Sequence, residues 1–290
     1  MKIAVSTYSF HSLVSFGRMS QLECVDKAKE MGFDGIEIMG LYHDEQEDDL
    51  SYAKRLGEHC RKVGMPVVSF TIGANLLCKD ARATREEVER LCGLVDLAVL
   101  LGAPRMRHDA AWGFGEIPRQ GRGFDQVMNT LADACREVTD YAAARGVETM
   151  TENHGYFCQD SVRVERLINA VGRQSFGALC DIGNFLCVDE SPAAAVGRLA
   201  PYVKYVHCKD FHFRPGEWDD PGEGFLRTRG GNFIRGAILG HGNVPVKRCL
   251  RALRDGGYDG WVGIEFEGME EPIHAIEISL CNLRRMLEQL

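Results

Sequence analysis

The chain has 290 residues, of which 45% are hydrophobic and 26% are charged, and these values are typical of a soluble globular protein. This composition excludes a disordered or a collagen-like chain. The 42 Asp and Glu residues outnumber the 34 Lys and Arg residues and give a net charge of −8, which repels phosphate backbones and anionic membranes. We therefore expect neither a nucleic-acid partner nor a membrane partner.

The cysteine content and the N-terminal segment bear on the cellular compartment. Eleven cysteines are scattered along the chain without a C-x-x-C pair. A secreted fold framed by disulfides would be far shorter, so we expect most of these thiols to be buried as small apolar groups. The N-terminus lacks the apolar core of a signal peptide, and no run of about 18 apolar residues occurs. We expect a cytoplasmic protein.

Short apolar runs alternate with longer amphipathic segments along the chain. Eight of the runs have the length and the turn-forming boundaries of buried parallel strands. These strands are predicted over 2–6, 35–39, 66–71, 103–107, 147–152, 178–181, 203–208 and 261–267. Helices are predicted between and after them, over 20–31, 46–63, 84–101, 124–145, 161–171, 192–199, 244–255 and 272–290.

The number and order of these elements predict the fold class. Eight βα units in one chain favour a single-domain (β/α)₈ TIM barrel over residues 1–290, because an open doubly wound sheet usually has five or six strands. No G-x-G-x-x-G motif follows the first strand, which also argues against a dinucleotide-binding sheet. The longest irregular region, 211–241, is predicted to be a loop at the C-terminal rim, where long loops usually serve the site.

In a TIM barrel the catalytic groups come from the C-terminal ends of the strands. Four consecutive predicted strands end in ionisable groups, within the motifs ENHG, DIGN, HCKD and EFEG. Three converging carboxylates repel one another unless a cation lies between them, so a divalent metal is expected. Mostly oxygen ligands suit Mn²⁺ or Mg²⁺, and Co²⁺ and Zn²⁺ are also compatible. The alternative is a ring of buried salt bridges around Lys209 or Arg107.

The ordered motifs ENHG, DIGN, HCKD and IEFEG resemble those of the sugar phosphate isomerase/epimerase family, the xylose isomerase-like TIM barrels. GFDGIEI after the first helix and LGHGNVPV before the last βα unit also resemble the family, and the resemblance covers essentially the whole chain. It implies one divalent metal held by four residues, with the two glutamates also acting as an acid/base pair on opposite sides of a sugar. These residues are Glu152, Asp181, His207 and Glu265.

Several further residues are candidates for the site. The resemblance implies that Asn184 contacts the sugar, although several relatives have His at that position. His154 and His108, at the ends of the fifth and fourth strands, and Lys209 beside the metal histidine are further candidate substrate contacts. Glu267 has the same strand parity as Glu265 and is the alternative fourth ligand.

The expected activity follows from the metal and the paired glutamates. We expect a metal-dependent isomerase or epimerase that removes a proton beside a carbonyl group and passes through an enediolate. Its expected substrate is a ketose, a polyol-derived ketone or a sugar phosphate. An inosose-type dehydratase shares the first step and remains open, as does a non-catalytic sugar-binding barrel. A homo-oligomer is expected by analogy with related barrels alone.

A DNA-repair endonuclease is the remaining class with a similar barrel. That class resembles the same superfamily, but it needs a cluster of zinc ions and additional histidines on the second to fourth strands. Here the third strand ends in Ser69, Phe70 and Thr71, and the chain is acidic. Because binding to phosphate backbones requires a basic face, the sequence disfavours this class.

Overall fold

The computed structural model describes residues 1–115 and 123–290. Eight parallel strands close into a barrel in the order β1-β2-β3-β4-β5-β6-β7-β11, with β11 pairing back to β1. The strands are β1 Lys2–Ser6, β2 Gly35–Met39, β3 Val67–Ile72, β4 Arg105–His108, β5 Glu148–Glu152, β6 Phe176–Asp181, β7 Val203–Cys208 and β11 Trp261–Ile264. The predicted single-domain (β/α)₈ barrel is confirmed.

Nine α-helices occur in the described part of the chain, and most of them surround the barrel. They are α1 His11–Ser15, α2 Gln21–Met31, α3 Asp49–Val63, α4 Ala81–Leu101, α5 Phe124–Ala143, α6 Ser161–Val171, α7 Pro192–Leu199, α8 Val246–Asp255 and α9 Pro272–Glu288. None of these described helices is long and apolar enough to cross a membrane.

The helix boundaries are set by capping residues. The predicted helix over 46–63 begins at Asp49, because the Asp48 side chain accepts a hydrogen bond from the Ser51 amide. The helix predicted from residue 84 begins earlier, because Asp80 caps it through the Ala83 amide. At the other end, α2 stops at Gly32, whose φ of 85° ends the helix and turns the chain towards β2.

The alternation of side chains along the strands determines which residues fill the barrel interior and which lie at its C-terminal mouth. A small apolar cluster, which includes Met150, Leu179 and Tyr205, fills the barrel below its C-terminal mouth. Residues two positions further along a strand point to the same side, so they lie one layer higher. The corresponding pairs are Met150 and Glu152, Leu179 and Asp181, and Tyr205 and His207.

The region 211–241 contains regular structure that the sequence did not predict. Its residues contribute to a three-stranded antiparallel sheet, β8 Asp210–Arg214, β9 Leu226–Arg227 and β10 Phe233–Ala237, with β10 in the middle. The prediction of an irregular loop was therefore wrong. The Asp210 carboxylate holds the end of this region to the barrel, because it accepts hydrogen bonds of 2.8–3.0 Å from four backbone amides.

Candidate metal centre

Four side chains from neighbouring strands and the segment after β11 converge at the C-terminal mouth of the barrel. One ligand atom from each of Glu152, Asp181, His207 and Glu265 lies within 4.8 Å of the other three, and all four residues are buried. His207 Nδ1 lies 3.5 Å from Glu265 Oε1, 3.8 Å from Glu152 Oε1 and 3.9 Å from Asp181 Oδ2. These residues are the ones that the sequence placed together as ligands.

The backbone after β6 orients Asp181. Its Oδ1 accepts hydrogen bonds from the amides of Gly183 at 2.7 Å and Asn184 at 2.9 Å. Asn153 fixes the Asp181 backbone, since its side chain accepts from the Asp181 amide and donates to the Asp181 carbonyl. Asp181 Oδ2 is left pointing towards the centre of the group. Burial, foremost, and the neighbouring carboxylates of Glu152 and Glu265 raise the pKa of Asp181 to about 6.

Two side chains hold Glu152. Asn184 Nδ2 donates to its Oε1 at 2.9 Å, and Arg107 donates to its Oε2 at 2.7 Å. Arg107 is itself buried and also contacts Asp109 at 2.8 Å. Burial alone would raise the pKa of Glu152, but the charges of Arg107 and His207 outweigh this effect and lower the pKa to about 2. Glu152 is therefore ionised at neutral pH.

The two ring nitrogens of His207 have different surroundings. Nε2 lies 2.5 Å from Glu37 Oε2, whereas Nδ1 faces the three carboxylates of the group. Burial alone would lower the pKa of His207, but Glu37 and Glu265 raise it well above its ordinary value. The sequence analysis did not find this contact between Glu37 and His207.

Lys209 forms ion pairs with two carboxylates of the group and with Glu267. Its Nζ is 2.6 Å from Glu265 Oε2, 3.2 Å from Glu267 Oε2 and 3.4 Å from Asp181 Oδ2. Burial alone would raise the pKa of Glu265, but the charges of Lys209 and His207 lower it well below its ordinary value. The salt bridges around Arg107 and Lys209 that the sequence offered as an alternative are thus present.

These salt bridges do not satisfy the whole group. Among the described residues, six carboxylates gather near only two permanently charged cations, Arg107 and Lys209. Two buried ligand atoms, His207 Nδ1 and Asp181 Oδ2, have no hydrogen-bond partner in the described part of the chain. Buried polar atoms without a hydrogen-bond partner are costly, and both of these face the same centre. Three carboxylates and one imidazole therefore fit a divalent cation.

The other predicted site residues lie in three different situations. Asn184 is buried against Glu152, and its Oδ1 is 3.4 Å from Lys209 Nζ. His154 remains partly exposed, and its Nδ1 lies 2.9 Å from Asp109 Oδ1. Glu267, the alternative ligand, contacts Lys209 and lies outside the group of four.

His108 is the last residue of β4, but its side chain points away from the barrel interior. Arg107 points inward to Glu152, so its neighbour His108 points to the opposite side of β4. Its ring is fully buried, 6.2 Å from the ring of Phe176, and burial lowers its pKa. This placement gives no geometric support to the predicted substrate contact.

A buried group of potential metal ligands at the mouth of a (β/α)₈ barrel defines a recognisable class of protein. Residues 25–286 match the family model described as the xylose isomerase-like TIM barrel, and the chain belongs to this family.

The curated relatives of the chain include inosose dehydratases. It is 25% identical over 185 residues to inosose dehydratase of Lacticaseibacillus casei, which covers 63% of this chain and 55% of that protein. The chain thus spans about half the length of the first curated relatives that it matches.

Solved structures of low sequence identity share the fold. A structure of L-ribulose 3-epimerase has a TM-score of 0.74 at 18% identity and covers 99% of this chain and 95% of its own. A structure of IolI protein with a bound zinc atom has a TM-score of 0.75 at 16% identity and covers 100% of this chain and 99% of its own.

Proposed function

We propose that this protein is a metal-dependent isomerase or epimerase that moves a proton beside the carbonyl group of a ketose, a polyol-derived ketone or a sugar phosphate. The observation that carries this proposal is the buried convergence of Glu152, Asp181, His207 and Glu265 at the mouth of the barrel. The shared fold with L-ribulose 3-epimerase agrees with it.

One divalent metal ion is the proposed cofactor, with Mn²⁺ expected first and Mg²⁺, Co²⁺ or Zn²⁺ as the alternatives. Glu152, Asp181, His207 and Glu265 would hold it, and the zinc atom in the IolI structure agrees with metal binding by a protein of this fold. When bound, such an ion stabilises the negative charge that develops on the carbonyl oxygen of the substrate.

Glu152 and Glu265 are the proposed proton-transfer groups. Both carboxylates are ionised in the metal-free protein, because Arg107 and His207 act on the first and Lys209 and His207 on the second. An ionised carboxylate is able to remove a proton from the carbon next to the carbonyl. The carboxylate that has taken up the proton is the acid for the return step. The Lys209 ammonium, 2.6 Å from Glu265 Oε2, stabilises negative charge there, because, against the effect of burial, the Glu265 and Glu267 carboxylates raise the pKa of Lys209 well above its ordinary value.

A dehydratase is the second candidate, and the inosose dehydratases among the curated relatives favour it. The first step is the same removal of a proton beside the carbonyl. The two reactions diverge when an acid protonates a hydroxyl on the next carbon, which then leaves as water. The carboxylic acid formed in the first step is suited to supply that proton, so that the proton removed from carbon leaves with the hydroxyl as water.

The experiment that tests these proposals is NMR of candidate substrates in D₂O with the metal-loaded protein. Ketohexoses, ketopentoses, their phosphates and an inosose are the substrates to include. Exchange of a substrate C–H with formation of an isomer or epimer supports the first proposal, and exchange with loss of water supports the second. Binding of a sugar without any exchange or turnover overturns both and favours a sugar-binding barrel.

We expect the affinity for the divalent metal to rise with pH. Metal binding needs an ionised Asp181, whose pKa burial raises to about 6, and an unprotonated Nδ1 on His207, whose pKa is also raised. Below the pKa of either group, that group must lose a proton before the metal binds. Each such proton weakens metal binding by about tenfold for every pH unit below that pKa. Calorimetric titrations at about pH 5.5, 6.5 and 7.5, in buffers of different ionisation heat, measure the affinity and the protons released. An affinity that does not change with pH contradicts the proposed ligand set.

A further inference from the structure

Glu37 is a buried carboxylate in the interior of the barrel. Its exposed fraction is 0%, and in the described part of the chain no Lys or Arg forms an ion pair with it. His207 Nε2 and the hydroxyl of Thr71 contact its two oxygens. A buried carboxylate without a permanent counter-charge is costly, so its position calls for a physical explanation.

The contact between Glu37 and His207 crosses the barrel. In the closed sheet, β2 pairs with β1 and β3, whereas β7 pairs with β6 and β11. The two side chains therefore meet through the barrel interior rather than across a shared strand pair. The Thr71 hydroxyl, on β3, donates to Glu37 Oε1 and orients the carboxylate so that Oε2 faces the imidazole.

The chemistry of the two groups fixes the state of the imidazole. A carboxylate oxygen accepts a hydrogen bond, so His207 Nε2 is the donor in the 2.5 Å contact. Once the ring is neutral, Nδ1 presents its lone pair to Glu152, Asp181 and Glu265. The ring of Tyr205, in an edge contact at 5.3 Å, holds the imidazole plane from below.

We propose that Glu37 is a positioning residue, which holds His207 through Nε2, keeps Nδ1 directed at the group of potential ligands and thereby sets the affinity of the site for its divalent metal. This inference rests on the proposed metal-dependent function. Glu37 is not one of the four residues of the ligand group, and it acts through His207. Carboxylates that accept from metal-bound histidines have this effect in other metal sites.

The first test compares divalent-metal affinity in the wild-type chain and in Glu37→Gln. Glutamine keeps the shape and one acceptor oxygen, so the substitution removes the negative charge while leaving an acceptor for Nε2. We expect the dissociation constant for Mn²⁺ and for Zn²⁺ to increase about 10–100-fold, measured by calorimetry or by competition with a chelating dye.

Glu148→Gln is the matched control for this comparison. Glu148 also lies in a barrel strand, but at the opposite end of β5, where it pairs with Lys204. We expect its metal affinity to equal that of the wild type. If the wild-type chain binds the metal and Glu37→Gln binds it with equal affinity, the inference is overturned but the proposed metal site is not. A wild-type chain that binds no divalent metal overturns the inference and the proposed function together.

A second measurement uses the wild-type chain and does not depend on whether the variant folds. The ¹⁵N chemical shifts of the Zn²⁺-loaded protein report which nitrogen of His207 binds the metal and which carries the hydrogen. We expect metal on Nδ1 and hydrogen on Nε2. Metal on Nε2 overturns the inference. A milder variant, Thr71→Val, removes the donor to Glu37. We expect it to weaken metal binding by less than Glu37→Gln does. An unchanged metal affinity in Thr71→Val argues against an orienting role for Thr71.

Discussion

Glu152→Gln is expected to lower the turnover of the substrate by about 10²–10⁴-fold, which is the range for removal of a general acid or base. The variant keeps the size of the side chain and an oxygen that accepts from Asn184, but it loses the charge that abstracts a proton. Initial rates and the exchange of a substrate C–H with D₂O measure the two consequences. The metal content of the variant must be determined as well, because Glu152 is also a proposed ligand.

Glu148→Gln again provides the matched control, since Glu148 and Glu152 lie at opposite ends of the same strand β5. Glu148 contacts Lys204 and Arg105, far along the strand from the ligand group. We expect this control to retain wild-type turnover. If Glu152→Gln turns over every tested sugar at the wild-type rate, Glu152 has no role in proton transfer and the non-catalytic alternative is favoured.

The fold and the grouping of the ligands were predictable from sequence because both depend on local patterns. Buried parallel strands are short apolar runs, and their C-terminal ends meet at one mouth in a closed barrel. Four ionisable residues at four consecutive ends had therefore to lie close together, and Glu152, Asp181, His207 and Glu265 do so. The grouping of these four residues could therefore be predicted without knowledge of which distant side chains pair.

The contacts inside the site depend on information that strand patterns do not carry. Parity places Glu37 and Arg107 in the interior, but it does not say which charged partner each one meets. In the structure, Glu37 contacts His207 and Arg107 contacts Glu152. The choice depends on the stagger of β2 against β7 across the barrel, which the sequence does not encode locally.

The outward orientation of the His108 side chain was predictable from the sequence. Its neighbour Arg107 is an inward charged residue, and adjacent residues on a strand point to opposite sides, so His108 had to face the helices. The strands in 210–237 were harder to predict, because β9 has only two residues and the region is rich in Gly and Arg.

Removal of the metal is expected to abolish turnover and to lower the melting temperature. Without a cation, Glu152, Asp181 and Glu265 face one another in a buried site, and His207 Nδ1 and Asp181 Oδ2 have no hydrogen-bond partner among the described residues. At a free metal concentration of about 100 times the dissociation constant, binding stabilises the fold by about 2.7 kcal/mol. For a domain of this size, that corresponds to about 4 °C.

The test is treatment with EDTA, followed by dialysis and addition of Mn²⁺ or Co²⁺, with turnover and thermal unfolding measured at each stage. Both readouts should return together, because the same ion completes the ligand group and supports proton abstraction. Asp181→Asn serves as the control, since it keeps an oxygen for the amides of Gly183 and Asn184 but removes one charged ligand. Its melting temperature should respond only weakly to added metal. A fully metal-free wild-type chain with undiminished turnover and an unchanged melting temperature contradicts the metal-dependent mechanism, because the salt bridges of Arg107 and Lys209 would then suffice to hold the site.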